Sequence, residues 1–267
     1  MYIYGPNPLL LLYCLYSPAA IYKSAIIDLF TCLSINDSLV QLDKTSSLPI
    51  TTSHNYTFIS ILPTYLPITY RRSGITHSHT HKMASNQQRT ILITGATGYV
   101  GGQIVREALS KGYHVRIAAR TTTSASKVTS DFPEHASQLS TVIVPDITKA
   151  ESFEEAFTTG TNKITGVIHT ASPFVLAPED NVRDLLEPAI RGSVAILEAA
   201  KRWGSDSVRA VVATSSFASI VDIGLGKRPG YTYTEADWNP MTYEEAARAD
   251  GVTAYCASKA LAERASK

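Results

Sequence analysis

The sequence predicts an α/β fold built on a doubly wound parallel sheet. Its first support is the β-branched apolar run from Ile91 to Thr94, which is followed by a glycine-rich turn and then by apolar residues at helical spacing. A second apolar run extends from Tyr113 to Ala119, after Lys111-Gly112. Strand, turn, helix and strand in this order form one βαβ unit, in which the two strands are parallel.

Three glycines, Gly95, Gly98 and Gly101, follow the first strand at regular spacing. We expect Gly95 to permit the sharp exit from the strand, Gly98 to let the backbone approach a diphosphate, and Gly101 to let helix and strand pack closely. The helix that begins here directs unpaired N–H groups and its positive dipole end toward the phosphates. The pattern therefore predicts a Rossmann-type dinucleotide site.

The second strand ends in Arg120 instead of Asp or Glu. An acidic residue there would bind the ribose 2′-hydroxyl and repel a 2′-phosphate, whereas an arginine binds the phosphate. The sequence thus predicts NADP(H) as the cofactor. A solvated surface arginine is the alternative, because the next cation along the chain is Lys127.

Two further strands are predicted at residues 141–144 and 166–169, after a polar loop with a short helix at 121–140. Asp146 and Ile147 follow the third strand and are candidate adenine contacts; capping of a helix at residues 151–157 by Asp146 is an alternative that is compatible with this role. Thr170 and Ala171 follow the fourth strand, where small residues permit close approach of the cofactor. His169 ends that strand, and we interpret it as a core residue and not as a general acid.

An amphipathic helix is predicted at residues 181–203, ended by Gly204, and a fifth strand at residues 208–213. This strand delivers Ser216 to the edge of the sheet at which ligands of such folds bind. Among the 14 tyrosines, only Tyr255 has a lysine four residues on, Lys259, so that a helix would place both on one face.

These three side chains predict carbonyl reduction. A free tyrosine loses its proton near pH 10, and a nearby ammonium lowers that pKa. We therefore expect Lys259 to tune Tyr255 and to bind the nicotinamide ribose, Tyr255 to protonate the carbonyl oxygen, and Ser216 to orient the same oxygen. The substrate would be a small carbonyl compound or, in the reverse direction, an alcohol.

The motif from Thr94 to Gly101, with Ser216 and the Tyr255/Lys259 pair, resembles the extended short-chain dehydrogenases/reductases. Residues 169–173 (HTASP), 145–147 (PDI) and 235–240 (EADWNP) resemble the branch of fungal methylglyoxal and aldehyde reductases and plant dihydroflavonol reductases. The resemblance covers residues 89–267. It implies NADPH-dependent reduction of an aldehyde or ketone, catalytic Ser216, Tyr255 and Lys259, cofactor contacts that include Tyr99 and Val100, and a homodimer formed through the two long helices.

The chain departs from that branch in two respects. A partner lysine that shortly follows the arginine in the branch is replaced here by Thr and Ser, and relatives continue past Lys267 into a substrate lobe. From this we expect weak NADP binding and little turnover. A nucleotide-sugar epimerase or dehydratase and a non-catalytic dinucleotide sensor remain alternatives; Arg120 disfavours the first, and the presence of Tyr255 and Lys259 disfavours the second.

Composition divides the chain into an N-terminal extension, residues 1–85, and a dinucleotide-binding domain, residues 86–267. Residues 1–82 hold eight of the 14 tyrosines but no glutamate, so we expect a poorly ordered segment or a leader upstream of a start at Met83. The apolar run at residues 9–22 is too short to span a membrane. His77, His79 and His81 favour a solvated tract over a metal site. The net charge of +1 gives no reason to expect a nucleic-acid partner, and the three cysteines indicate a reducing, cytoplasmic setting.

Overall fold

The structure is a computed structural model that describes residues 2–4, 89–175 and 177–267. Its sheet has six strands in the order β1-β6-β5-β2-β3-β4. The strands are β1 (Tyr2–Tyr4), β2 (Thr90–Thr94), β3 (His114–Ala119), β4 (Leu139–Ile143), β5 (Ile164–His169) and β6 (Ala210–Ala213). Strands β2 to β6 are parallel, and their order reverses at β2, which confirms the predicted doubly wound sheet.

Helices cover both faces of the sheet. They are α1 (Tyr99–Ser110), α2 (Thr122–Ser130), α3 (Glu154–Thr158), α4 (Glu187–Trp203), α5 (Tyr243–Arg248) and α6 (Gly251–Ala265). Short helical turns lie at Pro133–Gln138, Ala150–Phe153, Val182–Leu186, Phe217–Ser219 and Ile223–Leu225. Because both faces of the central strands are covered, their side chains are almost all buried, as is usual for parallel sheets.

Two apolar layers hold the sheet and helices together. On one face, Ile91 and Ile93 of β2 pack in a cluster with Ile104 and Val105 of α1. On the other face, Leu92 packs in a cluster that contains residues of α3 and α4. Alternation along β2 thus divides its side chains between the two layers. A smaller cluster joins Leu186, Ala246 and Ala257 and seats α5 and α6 beside α4.

Strand β1 is a feature that the sequence analysis did not predict. Tyr2–Tyr4 belong to the segment expected to be poorly ordered, yet they pair antiparallel with Val211–Ala213 at the edge of the sheet. The rest of the N-terminal extension lies outside the described residues. The same holds for the predicted apolar run at residues 9–22 and for the three histidines of residues 77–81.

The described ranges contain no cluster of side chains suited to hold a metal ion. Within the same ranges, none of the helices combines the length and the apolar character that crossing a bilayer requires.

Candidate active site

A cleft of about 950 Å³ opens at the carboxyl ends of the parallel strands. It lies where β2 separates the two halves of the sheet, the position at which ligands bind in open α/β sheets. Most of the residues predicted to bind the cofactor line it together: Gly95, Gly98, Arg120, Asp146, Ile147, Thr170 and Ala171.

The glycine turn forms the floor of this cleft and has no room for side chains. Gly95 has a φ of +70°, and a Cβ there would lie 2.5 Å from Thr170 Oγ1. A Cβ on Gly101 would lie 2.1 Å from the carbonyl oxygen of Gly95. Gly98 precedes the first residue of α1. A Cβ added to Gly98 would lie 3.3 Å from the carbonyl oxygen of Gly95, with no other described heavy atom close to it. The structure thus agrees with the predicted strand exit at Gly95 and the close packing at Gly101, and it leaves open backbone at Gly98.

Thr94 ties the glycine turn to the end of β5. Its hydroxyl oxygen accepts hydrogen bonds from the backbone N–H groups of Thr170 (3.1 Å) and Ala171 (3.2 Å). With both lone pairs used, the hydroxyl proton must point to His169 Nδ1, 2.9 Å away. Nδ1 therefore accepts, and Nε2 carries the ring proton.

His169 is a buried residue, as predicted, and it is neutral. Its side chain is 4% exposed, and burial, reinforced by the charge of Lys259, lowers its pKa to about 4. Nε2 is buried without a hydrogen-bond partner among the described residues, so the prediction of a fully satisfied core histidine holds for only one ring nitrogen.

Arg120 lies exposed at the rim of the cleft, where its guanidinium makes no ion pair or hydrogen bond with the described residues. A second depression of about 340 Å³ adjoins the glycine turn and is lined by Thr97, Gly98, Tyr99, Arg106 and Lys127, among others. The three cations, Arg120, Arg106 and Lys127, therefore surround the outer side of the turn. Of the remaining predicted contacts, Val100 lies in the first turn of α1 with its side chain packed against the core.

Asp146 is engaged within its own loop. Its carboxylate accepts hydrogen bonds from the N–H (2.9 Å) and the hydroxyl (2.6 Å) of Thr148, and Lys149 lies 3.1 Å from its other oxygen. These hydrogen bonds, those of Thr148 first, lower the pKa of Asp146 to about 2. The alternative that Asp146 caps the next helix is wrong, because that helical segment begins after Lys149 and has no side-chain cap.

Ser216, Tyr255 and Lys259 meet beside the cleft. Ser216 follows β6 and interacts with Tyr255 in the sense that lowers the pKa of the phenol, while its Oγ accepts the N–H of Ala218 (3.2 Å). Lys259 donates to the hydroxyl of Ser172, and its Nζ lies 5.0 Å from the centre of the Tyr255 ring. The helix predicted from the Tyr255/Lys259 spacing is α6, which places both side chains on the face toward the strand ends.

The pKa values of this group differ from the expectation. Burial raises the pKa of Tyr255, and the hydrogen bond from Ser216 lowers it by a smaller amount. Burial lowers the pKa of Lys259 to about 8. The predicted lowering of the Tyr255 pKa by Lys259 is therefore not met in this structure, because the lysine ammonium is directed at Ser172 and the backbone oxygen of Pro173 and not at the phenol oxygen.

Residues 91–265 match the NAD dependent epimerase/dehydratase family. The chain belongs to this family. Among its relatives, the NADPH-dependent methylglyoxal reductase GRE2 of Saccharomyces cerevisiae is 38% identical over 176 residues, which are 66% of this chain and 51% of the relative. The dihydroflavonol 4-reductase of Zea mays is 32% identical over 183 residues, 68% of this chain and 48% of the relative. The predicted resemblance is thus confirmed.

A solved structure supports the same placement within the epimerase/dehydratase family. The crystal structure of the yeast methylglyoxal/isovaleraldehyde reductase Gre2, complexed with NADPH, superposes with a TM-score of 0.62 at 38% identity. The superposition covers 66% of this chain and 51% of the Gre2 chain. The chain therefore spans about half the length of the curated relatives that it matches.

Four residues of this epimerase/dehydratase site were missed by sequence reasoning. Thr94 positions the loop after His169, and Ser172 binds Lys259. Phe174 packs edge-on against Tyr255, with the ring centres 5.1 Å apart. Glu263 is buried behind Ser216. Only Glu263 has a sequence signal, since it continues the spacing of four residues that joins Tyr255 to Lys259.

Proposed function

We propose that this chain holds the NADP(H)-binding and catalytic part of an oxidoreductase that reduces an aldehyde or ketone to an alcohol. The observation that carries the proposal is the meeting of Ser216, Tyr255 and Lys259 beside a cleft floored by glycine backbone. The relatives named as an NADPH-dependent methylglyoxal reductase and a dihydroflavonol 4-reductase support the same chemistry.

The residues of the cleft fit a dinucleotide phosphate. A Cβ at Gly95 would collide with Thr170, so the turn keeps its backbone bare for a diphosphate at the N-terminus of α1. The guanidinium of Arg120 is free among the described residues to bind a 2′-phosphate bidentately. Lys127 is exposed near the same turn and supplies a second cation, in place of the partner lysine that the sequence lacks after Arg120. Thr170, Ala171 and Ile147 would line the remainder, with Asp146 held by its own loop.

In the proposed mechanism, the bound cofactor supplies a hydride to the carbonyl carbon. Tyr255 gives its phenolic proton to the carbonyl oxygen as negative charge develops there, and Ser216 donates a hydrogen bond to the same oxygen. Lys259 would hold the cofactor ribose once a cofactor is bound, and its charge, close to the Tyr255 ring, would stabilise the phenolate that remains. The T-shaped contact of Phe174 holds the Tyr255 ring in place.

The two alternatives have less support. An epimerase or dehydratase acting on nucleotide sugars is the same fold, but Arg120 replaces the acid that selects NAD. A non-catalytic sensor has no need for a half-buried lysine beside a tyrosine and a serine at the ligand cleft.

The proposal also covers the binding partners, the cellular location, the oligomeric state and the domain division of the protein. The partner is a small carbonyl compound or alcohol, and neither a nucleic acid nor a membrane is expected. A cytoplasmic location and a homodimer formed through the outer faces of α4 and α6 remain predictions, and so does the division into an extension at residues 1–85 and a domain at residues 86–267.

Cofactor choice is tested by titrating the protein with NADPH and NADH and following its fluorescence. NADPH should bind more tightly, and Arg120→Gln should reduce that preference by roughly 10- to 100-fold, the effect of losing one charge-assisted contact of about 1.5–3 kcal/mol. Arg248→Gln, an exposed arginine on α5, removes the same charge away from the cleft and should leave the preference unchanged. Equal affinity of wild type for the two cofactors would refute the NADP assignment.

Catalysis is tested with Tyr255→Phe. The variant should bind NADPH as tightly as wild type, because the phenol oxygen contacts the carbonyl substrate, but should lose the slow reduction of a simple aldehyde such as methylglyoxal that is expected of the wild-type chain. Undiminished turnover by this variant would exclude Tyr255 as the proton donor.

A further inference from the structure

Glu263 is a buried acid that the proposed mechanism leaves unused. It lies four residues after Lys259 and eight after Tyr255 on α6, so that all three side chains follow one face of the helix. Its side chain is 3% exposed. Carboxylates are rarely buried to this extent unless they are paired or protonated.

The carboxyl group of Glu263 holds the turn that carries Ser216. Its Oε2 accepts from the hydroxyl of Ser215 at 2.7 Å and lies 2.9 Å from the hydroxyl oxygen of Ser219. Ser219 Oγ is in turn 2.7 Å from the backbone oxygen of Ser216. Glu263 thus contacts the residues on both sides of Ser216 and reaches Ser216 itself through Ser219.

Counting protons decides how these bonds are arranged. The Ser219 hydroxyl has a single proton, but two acceptors, Glu263 Oε2 and the Ser216 carbonyl, lie within hydrogen-bond distance. If Glu263 is ionised, only one of them can be served. If Glu263 carries a proton, it donates to Ser219 Oγ, Ser219 donates to the Ser216 carbonyl, and Ser215 donates to Glu263, so that the three shorter contacts each have a proton and only the longer one between Ser215 Oγ and Ser219 Oγ (3.3 Å) lacks one.

The charges around Glu263 do not favour ionisation enough to offset its burial. Lys267 Nζ lies 3.9 Å from Oε1, and Arg264 adds positive charge. Ser215 and Ser219, on the turn after β6, contribute neutral hydroxyls. Burial is the larger effect and raises the pKa of Glu263 to about 7.

We propose that Glu263 is a positioning residue whose protonated side chain completes a hydrogen-bond chain from Ser215 through Ser219 to the Ser216 carbonyl, thereby fixing the Ser216 hydroxyl toward Tyr255. Ionisation of Glu263 draws the Ser219 proton away from the Ser216 carbonyl and loosens the turn. The inference rests on the role of Ser216 in the proposed function, since only that role gives the position of its hydroxyl a consequence.

The test observes the Tyr255 ring in the whole chain without cofactor or substrate. Tyrosine labelled with ¹³C at Cζ is followed by NMR between pH 5 and 8.5, and Tyr255→Phe assigns the signal. The Tyr255 resonance should shift with an inflection near pH 7, because its hydrogen bond from Ser216 changes when Glu263 ionises. Glu263→Gln, which mimics the protonated acid, should abolish the inflection near pH 7 and leave only the change that Lys259 produces near pH 8. Glu198→Gln, an exposed acid on α4, should retain the inflection near pH 7.

A second variant separates positioning from simple electrostatics. Ser219→Ala keeps Glu263 but breaks the link to Ser216, so the inflection at Tyr255 should disappear. If the Tyr255 inflection near pH 7 survives in Ser219→Ala, the charge of Glu263 acts directly through space. If it survives in Glu263→Gln, another group titrates near pH 7. Either result, or a flat wild-type curve, overturns the proposal.

Denaturation gives an independent measurement. A carboxyl group whose pKa is raised on folding stabilises the fold fully below its unfolded pKa and loses that contribution as pH rises through its folded pKa. Between pH 4.5 and about 7, the folding equilibrium constant of wild type should fall roughly 100-fold relative to Glu263→Gln. If the folding equilibrium constants of wild type and Glu263→Gln change with pH in parallel, the proposal is overturned. Failure of NADPH binding would instead contradict the proposed function and leave both measurements interpretable.

Discussion

Lys259 combines a positive charge with burial, and the proposed function requires both. Burial lowers its pKa from 10.5 to about 8, so below pH 8 the folded state carries a constant cost of keeping the ammonium out of water. That cost declines as pH rises from 8 toward 10.5. The side chain is partly compensated by Ser172 and Pro173.

We therefore expect Lys259→Met to raise the free energy of unfolding at pH 7 by roughly 1–2 kcal/mol while abolishing turnover. Urea denaturation of wild type and Lys259→Met measures the gain in the free energy of unfolding at pH 7 and its decline at pH 10. Lys201→Met, an exposed lysine of α4, serves as the control and should change stability by less than about 0.5 kcal/mol. A less stable Lys259→Met protein would mean that the contacts with the 172–173 loop outweigh desolvation.

Single residues also differ in how far sequence could reveal them. Tyr255, Lys259 and Ser216 were accessible because spacing on a helix and position after a strand are written in the sequence. Thr94 was not, since its role depends on β5 lying beside β2, 75 residues later in the chain. The partner of Lys259, Ser172, depends likewise on how a loop folds over α6.

Among the elements, α6 carries most of the proposed chemistry, and its start is fixed by one side chain. Asp250 accepts hydrogen bonds from the N–H groups of Val252 (3.0 Å) and Thr253 (3.1 Å) and from the Thr253 hydroxyl (2.7 Å). The Thr253 hydrogen bonds lower the pKa of Asp250. This carboxylate satisfies N–H groups that would otherwise lack partners at the helix start.

Asp250→Ala should lower the free energy of unfolding by about 0.5–2 kcal/mol, the usual loss for an N-cap. Chemical denaturation measures it. Asp222→Ala is the matched control: Asp222 caps only the short turn Ile223–Leu225, through the N–H of Gly224. Its removal should have a smaller effect, and equal losses would contradict the importance assigned to the start of α6.

Element boundaries were predicted less well than element types, for local reasons. Strand β4 begins at Leu139, earlier than the predicted residue 141, because backbone pairing with β3 recruits polar residues that show no apolar pattern. The helix predicted at residues 151–157 is divided into a 3₁₀ turn, Ala150–Phe153, and the short helix α3. Hydrogen-bond geometry at such ends is not encoded in hydrophobic periodicity.

In the whole molecule, the parallel order of β2 to β6 was predictable, but the partner of the outer edge of β6 was not. The βαβ connections impose parallel strands on one sheet, and the glycine turn indicates where their order reverses. Strand β1 joins that sheet from more than 80 residues upstream of β2, where composition gave no strand signal. Long-range edge pairing of this kind leaves no local pattern in sequence.

The two apolar layers bear on what the extension contributes to the molecule. Their described buried residues all lie between Ile91 and Val212, so an extensive apolar interior is formed within residues 86–267 themselves. A chain beginning at Asn86 should therefore keep the fold, with a free energy of unfolding within about 1 kcal/mol of the full chain, and should bind NADPH with unchanged affinity.

The loss of β1 should change the self-association of the protein. Removing residues 1–85 frees the backbone groups of β6 that pair with Tyr2–Tyr4, and an open strand edge promotes pairing between molecules. We expect sedimentation to show concentration-dependent association of the shortened chain into species larger than the homodimer predicted for the full chain. Ile3→Pro in the full chain, which blocks ladder pairing while retaining the extension, should reproduce that association. A shortened chain that fails to fold would instead make the extension part of the domain.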